Sequence, residues 1–256
     1  MILAVDVGNT HSVFGLWNKR SLENSVRIST NSARTSWEWY WMLNSWVEKE
    51  KSREIQAVIY SSVVPGIDAP LTEAFEKMGI SNVQKISMDM KFPYKIEKQS
   101  FPTIGFDRLV NAAGGIMYYG DNLIIVDIGT AITFCLIKNR CYLGGVIAPG
   151  IQTSIESLSS KAARLFNVSY SPKKKVLAQS TRDSMESGVY FGWRGMIREI
   201  IRQLKSESDD AGKIHFRVLG TGGIASDLGY THEVFDIVDP DLTLRGLMEL
   251  YYCNYA

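Results

Sequence analysis

The amino-acid sequence predicts an α/β fold made of two similar halves, and three observations lead there. Short β-branched runs bounded by turn residues alternate with longer segments whose apolar residues recur three and four apart. The order of these segments, hairpin-like strands first and then alternating helix and strand, occurs twice. Most informative, VDVGNTHSVFGL at 5–16 lies over VDIGTAITFCLI at 126–137 at an offset of 121, with Val5/Val126, Asp6/Asp127 and Gly8/Gly129 coinciding. Halves of 1–118 and 119–256 follow from that spacing, each long enough to bury a core of its own.

Each element has its local reason. In the first half, β-branched runs predict strands over 2–7, 13–17, 26–29, 57–62 and 83–86, the first closed by Asp6-Val7-Gly8. Helical spacing predicts helices over 37–50, 69–78 and 108–118. Trp37, Tyr40, Trp41 and Trp46 recur with Leu43 and Val47 and are expected on one helix face packed on a sheet. No basic stripe accompanies them to make a base-stacking platform. In the second half, strands are expected over 123–127, 133–137, 142–147 and 214–219, with helices over 152–159, 181–205 and 242–252. SPKKK at 171–175 and SESDDAGK at 206–213 read as charged loops.

Of 256 residues 45% are hydrophobic, and 28 Lys+Arg against 27 Asp+Glu leave a net charge of +1 with three His. That balance excludes the broad basic surface of a protein whose main work is nucleic-acid binding, so small molecules or proteins are the expected partners. Cys135, Cys141 and Cys253 are too few and too irregular for a disulfide framework or zinc site, and read as reduced thiols in a cytoplasm. The apolar opening is broken by Asp6 and the greasiest run, 123–126, is closed by Asp127, so neither export nor a membrane span is expected.

The repeated D-x-G turn carries chemistry. Glycine lets backbone approach a phosphate that a Cβ would block. The turn N–H groups and Asn9, Thr10, Thr130 or Thr133 offer donors, and the acid can hold a cation. A third cluster, Gly220-Thr221-Gly222-Gly223, follows an apolar strand and precedes a helix-like segment at 224–228, a setting for backbone approach to a nucleoside. Neither GxGxxG nor a Walker P-loop is present. The order of phosphate loop, second phosphate loop and glycine-rich loop resembles the actin, hexokinase and Hsp70 superfamily. The implied fold is a duplicated actin-like (ribonuclease H-like) ATPase fold, two similar domains with the ATP cleft between them.

Between the two loops, Gly105-Phe106-Asp107-Arg108 opens a helix with a carboxylate able to accept a hydroxyl proton beside a guanidinium able to pair with an anion. DVGNTHSVFG at 6–15, SSVVP at 61–65, GFDR at 105–108, VDIGTAITF at 126–134, YLGGVIAPG at 142–150, SGVYFG at 187–192 and TGG at 221–223 together resemble the type III pantothenate kinases, in order and from end to end. The resemblance implies ATP-dependent phosphorylation of pantothenate at its primary hydroxyl, the first step of coenzyme A synthesis. It implies that Asp6, Val7, Gly8, Asn9, Thr10, His11, Ser12 and Val13 form the ATP-phosphate loop, with Thr130 also on the nucleotide and Asp6 orienting Mg²⁺ directly or through water. Gly105, Phe106, Asp107 and Arg108 are implied to bind pantothenate, Asp107 as proton acceptor, with Thr181 and Lys98 as further contacts. Asp127 matches the position that holds a monovalent cation, K⁺ or NH₄⁺. Phe106, Lys98 and Ile132 depart from the family's usual residues. Two other readings share these features, a kinase for another small hydroxy-acid and a non-catalytic regulator on the same fold.

A homodimer is also implied. Met185, Val189, Gly192, Met196, Ile200 and Leu204 form one stripe of the helix expected over 181–205, and Tyr190, Trp193, Ile197 and Ile201 a second. One stripe is expected on the parent domain and the other against a symmetry mate.

Overall fold

A computed structural model describes residues 1–49, 54–97, 104–162, 164–208 and 212–255. Contacts divide the chain into two compact units, one of residues 1–93, 102–114 and 242–256, the other of residues 94–101 and 115–241. This division differs from halves of 1–118 and 119–256. The break falls earlier, after Gly114, and the last segment joins the N-terminal unit.

In the first unit, β1 (Ile2–Val7), β2 (His11–Asn18) and β3 (Ser21–Ser29) form an antiparallel meander, and β4 (Ala57–Ser62) and β5 (Val83–Lys85) lie parallel beside β1, giving the order β3-β2-β1-β4-β5. Strand β1 is buried on both faces because helices cover both. Leu3, Val5 and Val7 share a core with Trp39 and Leu43 of α1 (Ser36–Lys49) and Leu71 and Phe75 of α2 (Pro65–Lys77). On the other face small residues, Ala4 and Gly15 in register, make room for α7 (Leu242–Tyr255). A Cβ at Gly15 would lie 2.8 Å from Leu244.

Helix α7 also fixes α3 (Phe106–Tyr119). A Cβ on Gly114 would come within 2.7 Å of the Leu242 carbonyl oxygen, and one on Gly246 would overlap the Val110 carbonyl, so the two backbones touch only because both positions are glycine. The Thr243 hydroxyl lies 2.7 Å from Asn111 Oδ1 at the same crossing. The start of α3, with Asp107 and Arg108, is thereby referred through α7 to the sheet whose central strand carries Asp6.

The second unit repeats the first. With β7 (Leu123–Ile128), β8 (Ala131–Lys138), β9 (Cys141–Pro149), β10 (Arg217–Thr221) and β11 (Ile237–Val238), the order read from β9 is again third, second, first, fourth, fifth, and a short β6 (Lys95–Ile96) is added outside β9. Its core joins Ile124, Val126 and Phe134 to Ile155 of α4 (Ile151–Lys161) and to Met185, Tyr190, Ile197 and Ile201 of α5 (Thr181–Ser208). A four-residue α6 (Thr231–Val234) precedes β11.

Several expectations are corrected. On α1 the core takes Trp39 and Leu43, while Trp37 and Trp41 are 56% and 60% exposed and stack on each other. With aromatic residues on every side of the helix, spacing alone does not select the packed face. Glu50, the expected end of that helix, lies outside the described residues. Strand β3 starts five residues before the expected 26 because it alternates exposed and half-buried residues, SLENSVRIS, with little apolar signal. Helix α2 starts at Pro65, which is suited to a first helical position, and tolerates Pro70 inside it. On α5, residues of both stripes, Met185 of the first and Tyr190, Ile197 and Ile201 of the second, are buried in this unit's own core.

Candidate active site

Asp6, next to last on β1, is half-buried and in register with Val13 on β2 and Ser61 on β4. The turn that follows is closed by Gly8 N–H donating to the His11 carbonyl at 3.0 Å. Asn9, Thr10 and His11 are exposed at its tip, whereas Val7 and Ser12 are buried and Val13 half-buried on β2. Thr30, one residue beyond β3, donates its hydroxyl to the Gly8 carbonyl at 2.7 Å, lies 2.9 Å from Ser12 Oγ, and donates its N–H to the Thr10 carbonyl at 2.9 Å. The buried Ser61 hydroxyl has no partner, although it projects from the same face of the sheet as Asp6. A buried polar atom left unpaired is costly in an ordinary fold.

In the same unit α3 begins at Phe106. One Asp107 carboxylate oxygen accepts the Arg108 N–H at 2.9 Å and folds back over Gly105, where a Cβ would collide with it. Glycine at 105 is therefore the condition for this carboxylate to sit across its own helix start. Gly105, Phe106, Asp107 and Arg108 are all half-buried. Lys98 lies outside the described residues.

In the second unit Asp127 occupies the place of Asp6, in register with Thr133 and, on β10, with the buried Thr221. Gly222 follows at φ +93°, and a Cβ there would stand 2.6 Å from an Asp127 carboxylate oxygen and from Ile128 N and O. The third glycine cluster is thus packed directly on the second D-x-G turn. Gly129 N–H donates to the Ala131 carbonyl at 3.0 Å, Gly150 N–H to the Thr130 carbonyl at 3.0 Å, and the Thr153 hydroxyl to the same Thr130 oxygen at 2.8 Å.

These bonds correct the repeat. The offset is 121 through the first strands and Gly8/Gly129. From the turn on it is 120, because Thr10 and His11 make the bonds that Thr130 and Ala131 make. Asn9 is the residue without a counterpart.

A family model for type III pantothenate kinase matches residues 2–203. The chain belongs to that family. It is a pantothenate kinase, transferring a phosphoryl group from ATP to pantothenate at the first step of coenzyme A biosynthesis. Among solved structures it is similar to a Campylobacter jejuni protein assigned to the Baf family of transcriptional activators, at 22% identity and TM-score 0.60 over 98% of this chain and 97% of that one. It is similar also to the activator of 2-hydroxyisocaproyl-CoA dehydratase from Clostridium difficile with bound ADPNP (16%, TM-score 0.51, 98% and 93%). A third likeness is to a ROK-family glucokinase from Streptomyces griseus in complex with glucose and AMPPNP (13%, TM-score 0.50, 97% and 98%). These likenesses agree with the two sheets in giving the duplicated actin-like fold.

In this kinase Thr181 is exposed at the first position of α5. The Ser180 hydroxyl caps the helix through Asp183, donating to its carboxylate at 2.6 Å and accepting its N–H at 3.1 Å. Lys173 of the SPKKK loop bridges Asp183 at 3.3 Å and Glu186 at 2.5 Å. The Ser180 hydroxyl first, then Lys173, hold the Asp183 carboxyl below its ordinary range. Among the described residues no group of three or more His, Cys, Asp or Glu gathers to hold a metal ion. Asp6 and Asp127 are instead single carboxylates at strand ends. That donor set suits Mg²⁺ shared with substrate phosphates, or a monovalent cation completed by backbone oxygens, rather than a caged metal.

Sequence reasoning missed Thr30 and Gly150, because each acts through bonds or contacts to backbone distant in sequence, and the Ser61 orphan, because burial without a partner is visible only in the folded chain. Ser61 and Gly150 sit inside motifs already noticed, SSVVP and YLGGVIAPG; only Thr30 stands outside every motif.

Proposed function

We propose that the first D-x-G turn, from Asp6 through Val13, holds the phosphates of ATP, with Thr130 also on the nucleotide, and that Asp107 accepts the proton of pantothenate's primary hydroxyl. The observation that carries this reading is the Asp107 carboxylate set across the start of α3, in the same unit as the Asp6 turn and referred to it through α7. As the hydroxyl oxygen bonds to the γ-phosphorus, the bond from that phosphorus to the β–γ bridging oxygen breaks, ADP leaves, and the hydroxyl proton passes to Asp107. Gly105, Phe106, Arg108, Thr181 and Lys98 bind pantothenate, with Arg108 a partner for its carboxylate. Mg²⁺, held through Asp6, supplies charge neutralisation at the phosphates. K⁺ or NH₄⁺ would be held at Asp127, the strand-end carboxylate against which Gly222 packs. The deciding experiment is Asp107→Asn: turnover falls about 10²- to 10⁴-fold with ATP binding nearly unchanged, as loss of a positioned base requires. Wild-type kcat would remove Asp107 from the mechanism.

The kinase works in the cytoplasm as a homodimer built on α5. No helix among the described residues is long and apolar enough to cross a membrane, and no disulfide forms among them. The outward side of α5 carries Gly188, Gly192 and Gly195 with open space beside them, next to Leu177, which is 89% exposed. An open depression of about 440 Å³ there is lined by Leu177, Gly188 and Phe191. Large exposed apolar residues beside a strip of small ones suit close helix packing with a second copy. Leu177→Glu tests this by light scattering: a monomer supports it, and an unaltered dimer moves the interface elsewhere.

A further inference from the structure

We propose that Thr30 is a positioning residue for the ATP-phosphate loop, a latch that holds the first D-x-G turn in its phosphate-binding shape. The inference rests on the reading that this turn holds the phosphates of ATP. Thr30 reaches residues 8, 10 and 12 of the loop at once: Oγ1 donates to the Gly8 carbonyl at 2.7 Å and meets Ser12 Oγ at 2.9 Å, while its N–H donates to the Thr10 carbonyl at 2.9 Å. The consequence for a phosphate lies in one peptide plane. A trans peptide sets C=O and the following N–H in opposite directions, so a Gly8 carbonyl turned to Thr30 aims the Asn9 N–H away from it, as a donor for an incoming anion.

With the hydroxyl gone, that plane can rotate, and its carbonyl then competes for the space in which the phosphate's negative oxygens must sit. The second turn is held differently. The residue equivalent to Thr30 is Gly150, whose N–H holds the Thr130 carbonyl together with the Thr153 hydroxyl, and which has no room for a side chain over the Gly129 carbonyl. A hydroxyl set on the carbonyl of the turn glycine from this position therefore belongs to the turn with the extra residue, Asn9.

Thr30→Val keeps the N–H and the side-chain shape and removes the hydroxyl, Thr30→Ala removes it without placing a methyl against the Gly8 carbonyl, and Thr30→Ser restores it. The first two raise KM for ATP and Kd for ADP, measured by calorimetry, about 5- to 20-fold, as loss of a part-buried hydroxyl and its two hydrogen bonds predicts. KM for pantothenate stays within about twofold, and Thr30→Ser returns ADP binding to within about threefold of wild type. Unchanged ADP affinity in a folded Thr30→Val or Thr30→Ala protein overturns the proposal. So does an equal rise in both KM values without rescue by Ser, which would be the mark of a merely structural residue. Asp6→Asn separates the two levels. If it weakens ATP binding and Thr30→Val does not, only the latch fails; if Asp6→Asn leaves ATP binding intact, the phosphate-loop reading fails and the latch with it.

Discussion

In the first hairpin four residues, 8–11, separate the paired Val7 and Ser12; in the second, three residues, 129–131, separate Ile128 and Ile132. Outside the turns the two hairpins keep step. The second and third strands start at 11 and 21 in one unit and at 131 and 141 in the other, their register slips between Leu16 and Trp17 and between Leu136 and Ile137, and Lys19 and Asn139 both take positive φ. Divergence is concentrated in the turns, one of which is proposed to hold the phosphates of ATP. The longer turn has room for a Thr side chain that pins it, and the shorter turn requires glycine at the same position. A duplicated frame supplies two strand-end acids at no structural expense, and a single inserted residue is enough to give them different surroundings.

The largest test of that contrast is the acid pair. Asp6→Asn is expected to lower kcat/KM for ATP by roughly 10²-fold or more, with altered Mg²⁺ dependence, because it removes the carboxylate proposed to hold Mg²⁺ at the transferring phosphates. Asp127→Asn is expected to cut activity less while erasing the difference between K⁺, NH₄⁺ and Na⁺ salts. Equal losses and equal salt responses in the two variants would make the two turns functionally alike. A smaller effect, on stability, concerns the glycines. Gly150→Ala drives a Cβ into the Gly129 and Thr130 carbonyls and is expected to lower stability by about 2–4 kcal/mol, a Tm drop of roughly 5–15 °C. Gly8→Ala meets only the His11 carbonyl, at 3.0 Å, and is expected to lose about 1 kcal/mol or less. Thermal unfolding of both variants sharpens the comparison, and a milder Gly150→Ala than Gly8→Ala would refute the difference in turn tightness. The smallest effect on nucleotide binding belongs to Ser12→Ala, which leaves the Thr30–Gly8 bond in place. About 1 kcal/mol of stability is expected to go, with ADP affinity changed less than in Thr30→Val.

Much of this was legible in the residues. The strand–D-x-G–strand pattern located both hairpins because glycine and the buried-strand run are local signals, and the helix expected over 108–118 starts two residues earlier, inside GFDR. The one-residue difference between the turns was not legible. With hydroxyl-bearing residues on either side of the gap, an ungapped overlay fits nearly as well, and only the bonds Gly8–His11 and Gly129–Ala131 set the register. Trp37 and Trp41 misled for a related reason: hydrophobicity marks what can be buried, and packing on β1 decided that Trp39 would be. Thr30 gave no signal because a lone Thr after a strand is ordinary until the backbone it holds is known. The placement of α7 in the first unit rests on contacts more than a hundred residues apart in sequence, which no local pattern encodes.

That placement sets a timetable for synthesis. The segment 115–241 is continuous, so the second unit can complete its sheet while the chain is still being made. The first unit cannot. Until residues 242–255 leave the ribosome, the face of β1 and β2 bearing Ala4 and Gly15 has no cover, and α3 lacks the helix it crosses through Gly114 and Gly246. The unit whose residues are made first is therefore finished last, and its sheet must wait, open on one side, until residues 242–255 have been made.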